Sequence, residues 1–249
     1  MSRWSFQGGQ KMLELKNICY SADEKNIIND ISLTIEDSKF VVITGPNGGG
    51  KSTLAKIIAG IVKPQSGQIL LNGEDITELG ITERAKKGIS FAFQQPVRFK
   101  GITVRDLISL AAGEDLSFGK VCEYLAEVGL CAKDYVNREV NASLSGGELK
   151  RIEIAMINAR KTQVSIFDEP EAGIDLWSFK NLINVFEKMH SEINGSIIII
   201  SHQERILDIA DEIVVLSKGQ ISAKGKKADI LPELLGSASP ACKFFSKED

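Results

Sequence analysis

Gly45-Pro46-Asn47-Gly48-Gly49-Gly50-Lys51-Ser52 satisfies the pattern G-x-x-x-x-G-K-[ST] at every fixed position, and each residue type in it has a chemical use. Glycines at 45, 48, 49 and 50 permit backbone angles closed to other residues, so successive N–H groups can turn inward around a polyphosphate. Lys51 brings a point charge to the outer phosphates, and the Ser52 hydroxyl is suited to ligate magnesium. The loop read this way runs from Gly45 to Thr53, and a plain strand-to-helix turn would need neither its lysine nor its hydroxyl. Further along, Val164-Ser165-Ile166-Phe167 ends in Asp168-Glu169-Pro170. Two acids at the carboxyl end of a buried strand stand where ligands bind in open parallel sheets. Asp168 suits the magnesium shell through a water, and Glu169 is placed to take a proton from an attacking water. Ser201-His202 closes another apolar run, Ile197 to Ile200. Alone, such a histidine is more readily structural; with the phosphate loop upstream, His202 is placed to contact the outer phosphate.

These residues need a scaffold that brings distant strand ends together, and the apolar pattern supplies one. Leu13 to Tyr20 and Ile27 to Ile35, separated by the polar turn Ser21 to Lys25, read as an antiparallel pair. Phe40 to Thr44 is an apolar run suited to a strand buried on both faces, and Lys51 to Ile61 carries Leu54, Ile57, Ile58 and Ile61 at helical spacing. Between Gly101 and Asn158 the pattern is helical, with Val104, Leu107, Ile108 and Ala111 on one face and Val121, Leu125 and Val128 on another. Strand signals return at Val164 to Phe167, Ile197 to Ile200 and Ile213 to Leu216. An amphipathic helix through Phe179, Leu182, Ile183, Phe186 and Met189 separates the first two and leaves His190 on its surface. Gly219 punctuates a final hairpin. Alternating strands and helices imply a parallel sheet with right-handed crossovers.

Leu144-Ser145-Gly146-Gly147-Glu148 opens the helical stretch Leu149 to Asn158, with Ser145 and Glu148 spaced as a capping box. Capping leaves the two glycines unexplained, each costing about 0.5 to 1 kcal/mol relative to alanine in a helix. Bare backbone donors at a helix start are useful where a phosphate must approach. The loop at 45–53 already serves the chain's own ligand, so a second phosphate-seeking helix end suggests a site completed by a second copy.

With these motifs in order, the chain from about Met12 to Leu235 resembles the ATP-binding cassette (ABC) ATPases. Leu144 to Glu148 is similar to that family's LSGGQ signature, with Glu148 in place of glutamine. The resemblance implies an α/β phosphate-loop NTPase fold with a mainly parallel sheet, an N-terminal antiparallel β subdomain and an inserted helical subdomain at about 101–158, in one domain over 12–249. It implies that Tyr20 stacks on adenine and that Gln94, after Ile89 to Phe93, senses magnesium and the partner. It implies that Ala172-Gly173-Ile174-Asp175 crosses a dimer interface, with Asp175 among the nucleotide-binding residues, and that His202 is the switch histidine. ATP and magnesium are the implied ligands, and two cassettes pair head to tail around ATP. Phe91-Ala92-Phe93-Gln94-Gln95-Pro96-Val97, and Ser143 to Arg151 followed by Glu153, resemble the SufC branch, the ATPase of SUF-type iron-sulfur cluster assembly, which works with SufB- and SufD-like scaffolds. Asp168-Glu169-Pro170-Glu171-Ala172-Gly173 is closer to transporter cassettes, which work with membrane permeases. Asp37-Ser38-Lys39 replaces the usual Gly-Glu before the third strand, and Glu171 stands where many members have threonine.

Bulk composition agrees. At 249 residues and 43% hydrophobic the chain can bury a full core. A net charge of -3 offers no broad basic field for nucleic acid, so none is expected as a partner. No apolar run approaches the ~20 residues that cross a bilayer, and a cytoplasmic protein reaching membranes only through a partner is expected. Cys19, Cys122, Cys131 and Cys242 lack metal or disulfide spacing, as expected of small buried side chains in a reducing compartment. Gln7-Gly8-Gly9-Gln10 upstream of Met12 suggests that residues 1–11 are an extension, with Met12 the natural start.

Overall fold

The computed structural model describes residues 11–141, 143–192 and 195–236; the expectations for residues 1–10 and for Cys242 lie outside the described residues. The opening strands are β1 (Lys11–Ala22) and β2 (Lys25–Glu36), antiparallel as expected, with Leu13 opposite Ile35 and Tyr20 opposite Ile28. Strand β1 begins one residue before Met12, where Lys11 pairs with Glu36. Next come β3 (Phe40–Thr44) and α1 (Lys51–Ala59). Three elements that apolar periodicity did not announce follow: β4 (Ser66–Leu71), β5 (Glu74–Asp75) and α2 (Ile81–Lys86). After β6 (Ile89–Ala92), four helices occupy the stretch before the next strand: α3 (Val104–Ala112), α4 (Phe118–Glu127), α5 (Ala132–Tyr135) and α6 (Gly146–Arg160). The chain continues through β7 (Val164–Asp168), α7 (Leu176–Glu192), β8 (Ser196–Ile200), α8 (Glu204–Asp208), β9 (Glu212–Ser217), β10 (Gln220–Lys226) and α9 (Lys227–Gly236).

Two sheets result. One is antiparallel, in the order β2-β1-β4-β5, and the other runs β10-β9-β3-β8-β7-β6. The second is parallel from β9 to β6, and only the hairpin strand β10 is antiparallel. Every residue of β3, β7 and β8 is buried, which is why these strands read as unbroken apolar runs. Alternate side chains divide between two cores. Val41, Ile43, Ile198, Ile200 and Val214 join Leu54, Ile57 and Ile58 of α1. Phe40, Val42, Ile197, Ile199 and Ile213 join α6 and α7 through Ile152, Ala155, Leu182 and Phe186. Among the described residues no helix is long and apolar enough to cross a membrane.

Two expectations are corrected here. His190 is not a plain surface residue: its ring lies edge-on to Phe40 with centroids 5.7 Å apart, and its Nε2 is 3.2 Å from Asp211 Oδ2. The reason is positional, because α7 packs its last turn over the start of β3. The cysteines are less buried than expected; Cys131 is exposed at the start of α5, and Cys19 is half-buried. There its sulfur accepts the Asp30 N–H at 3.3 Å beside an irregular step in the β1–β2 ladder.

Two buried polar groups hold α1 and β6. Arg84 is 1% exposed and caps the end of α1, donating through one terminal nitrogen to Ile57 O at 2.7 Å and Ile58 O at 2.8 Å. Its other nitrogens reach Thr77 O and Leu79 O, each at 2.9 Å. These are carbonyls at a helix end and a turn, where backbone donors run short; of the four, Ile57 O also accepts the Gly60 N–H at 3.1 Å. Glu153 of α6 accepts the Phe93 N–H at 3.0 Å, the first amide beyond the β6–β7 pairing that ends at Ala92 and Phe167. Burial pushes its carboxyl up to about 7, against the pull of the Phe93 hydrogen bond and Lys150.

Arg84→Ala should lower the unfolding free energy by about 3 kcal/mol, because several buried carbonyls lose their donor at once. Arg84→Lys should recover only part, a single ammonium being unable to span four acceptors. Urea titration at constant m-value checks both. For Glu153 the folded state holds its proton more tightly than the unfolded chain, so that contribution is complete below about pH 4.5 and is lost as pH rises through about 7. The stability of Glu153→Gln relative to wild type should therefore rise by roughly 3 kcal/mol between pH 5 and pH 8, and a difference flat with pH would refute the assignment.

Candidate functional site

The strand-to-helix loop is built on close backbone contact. Gly45 has φ 131°, and a Cβ there would lie 2.0 Å from the Leu216 carbonyl oxygen of β9, so only glycine fits. Gly50, at φ 98°, caps α1 in the left-handed region and lies against the Ile27 carbonyl and the Ile28 side chain. Ile28 is the residue opposite Tyr20, which places that half-buried tyrosine on the antiparallel sheet beside the loop. The Gly49 N–H is taken up by Pro46 O at 3.1 Å, and Asn47 and Gly48 at the loop's tip are exposed. Lys51 is 5% exposed, with its ammonium on Gly45 O at 2.8 Å and Pro46 O at 2.9 Å. Burial lowers its pKa, opposed by the charges of Glu169 and Asp168. Thr53, at the third position of α1, is half-buried.

At the end of β7 the acids separate into two environments. Asp168 is 2% exposed and its Oδ1 accepts the Ser52 hydroxyl at 2.9 Å; burial raises its pKa first of all, with Ser52 pulling the other way. Glu169 takes a left-handed backbone, φ 48°, held by its N–H on Ile200 O at 3.0 Å and by Lys150, which donates to its carbonyl. A non-glycine residue held in that conformation is a recurrent mark of functional turns. Its side chain turns to Gln94, whose Nε2 donates to Glu169 Oε2 at 2.6 Å. His202 sits on the neighbouring turn. Loss of solvent lowers its pKa, then the charge of Lys51 lowers it further, against Glu169. The structure thus gathers Gly45 to Thr53, Asp168, Glu169, Gln94 and His202 at the carboxyl edge of the parallel sheet.

The signature segment lies elsewhere. Ser145 and Glu148 form the expected capping box: Ser145 Oγ accepts the Glu148 N–H at 3.2 Å, and Glu148 Oε2 accepts the Ser145 N–H at 2.6 Å. The other Glu148 oxygen accepts the Tyr135 hydroxyl, the first cause of a lowered carboxyl pKa. A Cβ on Gly146 would meet nothing within 4 Å, and one on Gly147 would come 3.2 Å from Gly173 O. Among the described residues, no hydrogen bond joins Ser145 to Glu148 with the loop at 45–53. Asp175 immediately precedes α7, its Oδ1 accepting the Ser178 N–H at 3.0 Å.

Several residues of this region had no legible role in sequence. Lys150 is 2% exposed in a helix whose periodicity would call it surface, and burial lowers its pKa against the opposing charges of Glu171, Glu153, Glu169 and Asp168. Glu171, the departure from threonine, accepts the Ser201 hydroxyl at 2.6 Å. The Ser201 hydroxyl oxygen in turn accepts the Gln203 N–H at 3.0 Å. Glu171 therefore ties the Glu169 turn to the His202 turn, and burial raises its pKa. The acid where the resemblance implied threonine was the available signal.

Comparison with known proteins agrees with this architecture. A family model described as "ABC transporter" matches residues 28–172. An uncharacterised ABC transporter ATP-binding protein of Methanocaldococcus jannaschii is 35% identical over 227 residues, covering 88% of this chain and 90% of that one. The "Probable ATP-dependent transporter ycf16" of Pyropia yezoensis is 35% identical over 232 residues, covering 87% and 92%. Among solved structures, a nucleotide-free ATP-binding cassette from an ABC transporter superposes with a TM-score of 0.77 at 25% identity, over 96% of this chain and all of that one. With the phosphate loop, the strand-end acids and the signature helix arranged as described, the chain belongs to the ABC transporter ATP-binding cassette family.

Proposed function

We propose that the chain binds ATP with magnesium between its own Gly45–Thr53 loop and the Ser145–Glu148 helix start of a second copy, and hydrolyses it with Glu169 as general base. The observation that carries this reading is the contact chain at one edge of the sheet. Ser52 touches Asp168 at 2.9 Å, and Gln94 holds the neighbouring Glu169 at 2.6 Å. Tyr20 stacks on the adenine, backbone N–H groups of the loop, other than that of Gly49, surround the phosphates, and Lys51 leaves its loop carbonyls for the outer ones. Ser52, Gln94 and, through water, Asp168 would hold magnesium. Their hydroxyl, amide and carboxylate oxygens are the hard donors it prefers, few enough that phosphates and waters complete its shell. When bound, it supplies charge neutralisation at the outer phosphates.

The attacking water passes a proton to Glu169 as its oxygen bonds to the outer phosphorus and the bond to the bridging oxygen breaks. His202, its pKa lowered by burial and by the charge of Lys51, donates an N–H to that phosphate. Asp175 lies on the turn that crosses to the second copy. Loss of the outer phosphate removes contacts made by both copies, and the pair reopens. Exposed Val97 and Phe99, 51% and 37%, mark residues 94–101 as the surface on which a partner rides.

For the partner, a membrane permease is the first reading, because the relatives carry transporter names. This reverses the order suggested by the resemblance to the SufC branch. A SufB- or SufD-like scaffold is the second reading, favoured by Glu153 and by the Phe91 to Val97 segment it holds. Under either, the chain works in the cytoplasm. Capture of the native complex separates them: a partner with apolar spans of ~20 residues supports a permease, and a strand-rich partner without them supports the scaffold.

Glu169→Gln should slow ATP turnover by about 10²- to 10⁴-fold while ATP still binds and a dimer persists in sedimentation velocity. Turnover at the wild-type rate would sink the base assignment. Lys51→Ala should instead weaken binding or catalysis at the outer phosphates, read by nucleotide titration.

A further inference from the structure

A cavity of about 240 Å³ opens between β6, α3 and α6. Its walls are apolar, formed in part by Phe91, Phe93, Val97, Phe99 and Met156, and Glu153 is the one acid among its lining residues. A carboxyl group in such a wall needs a reason, because its ionised form is costly there. The reason available is a single hydrogen bond, the Phe93 N–H at 3.0 Å. Phe93 follows the last paired residue of β6, Ala92 opposite Phe167, and by the alternation of the parallel ladder its N–H points outward from this edge strand, where the sheet offers no acceptor. One residue further, Gln94 reaches Glu169 at 2.6 Å. Three residues before Glu153 on α6, and so on the same helix face, Lys150 donates to the Glu169 carbonyl. One turn of α6 therefore holds the backbone of Glu169 and that of Phe93, the residue before Gln94.

We propose that Glu153 is a positioning residue for hydrolysis: by holding the Phe93 amide where the sheet ends, it fixes Gln94 against Glu169. It acts through the Phe93 amide rather than on the reacting atoms. This rests on the reading of Glu169 as general base. Phe93 also packs edge-on against Phe91, with centroids 4.9 Å apart, so without Glu153 the ring stays anchored while its amide loses its acceptor and the backbone leading to Gln94 gains freedom. A side chain displaced by about 1 Å at a reacting centre can cost large factors in rate.

The test is steady-state phosphate release from the purified full chain with magnesium and ATP. Glu153→Ala, and Glu153→Asp with its acceptor withdrawn by one methylene, should each lower kcat about tenfold with KM for ATP within about twofold. Glu153→Gln, whose amide oxygen can accept the same N–H, should stay within about twofold of wild type. In a Gln94→Ala background, Glu153→Ala should cost nothing further. Additive losses, a KM rising in step with the fall in kcat, equal loss in Glu153→Gln, or a wild-type rate in Glu153→Ala would each overturn the proposal. Thermal melts confirm folding, and if the alanine variant does not fold, the Asp and Gln variants decide alone. Wild type releasing no phosphate would overturn the parent reading and this one together, whereas active wild type with unaltered variants overturns only this one.

Discussion

The register of the parallel ladder governs the whole site. Ile200 of β8 pairs with Ile43 on one side and with Asp168 on the other, while Thr44 pairs with Val215. Three strands thus end at one level, and the residues after each end are the phosphate loop, the acid pair and the Ser201–His202 turn. Strand side chains alternate between faces, so a slip of one residue in β7 would carry Asp168 to the opposite face from Ser52 and exchange its two cores. That slip is opposed by burial of every residue in β3, β7 and β8. The hydrophobic pattern that stabilises the sheet also fixes the distance between a hydroxyl on α1 and a carboxylate on β7.

Around that edge the fold concentrates buried charge. Lys51 and Lys150 stand among Asp168, Glu169, Glu171 and Glu153, and the shifts have one sign for each charge type. Both lysines lose basicity, and Asp168, Glu171 and Glu153 lose acidity, burial being the first cause in each case. Desolvation outweighs mutual attraction, the expected result where charges are taken from water without close pairing. Glu171 keeps one buried oxygen without a hydrogen-bond partner while the other holds Ser201. Such a group is kept by the surrounding structure at a cost, as is the left-handed backbone of Glu169.

The parts that were legible in sequence share a physical reason. Strands β3, β7 and β8 are covered on both faces and appear as apolar runs; the phosphate loop is written in glycines, of which Gly45 is forced by Leu216. The capping box at Ser145 could be read because its partners are three residues apart. The rest depends on partners distant in sequence. Strand β4 has only a partial apolar pattern and β5 is a two-residue exposed edge beside it, and α2 is six residues held by an arginine that composition would place in solvent. Lys150 and Glu153 sit in a helix whose face toward the sheet edge carries charge, so a reading by apolar spacing assigns both to the surface. Their meaning appears only when β6 and β7 end beside them.

Gly146 makes the strongest argument for a second copy. Gly147 is close to Gly173 O, so the chain itself limits what can stand there; Gly146 has open space where a side chain would go. Alanine at the first helical position would stabilise α6 by a fraction of a kcal/mol and meet no obstacle inside the chain. The adjoining Ser145 and Glu148 are already satisfied by each other and by Tyr135, which removes local capping as a reason for the glycine. Glu148 at the usual glutamine position follows the same logic: its charge is taken up by the Tyr135 hydroxyl and the Ser145 N–H, leaving the backbone of residues 146 and 147 as the surface offered outward. A helix start that forgoes a side chain with no internal cause is shaped for something that approaches from outside, and the proposed nucleotide held on another copy's phosphate loop has the charge that such a start attracts.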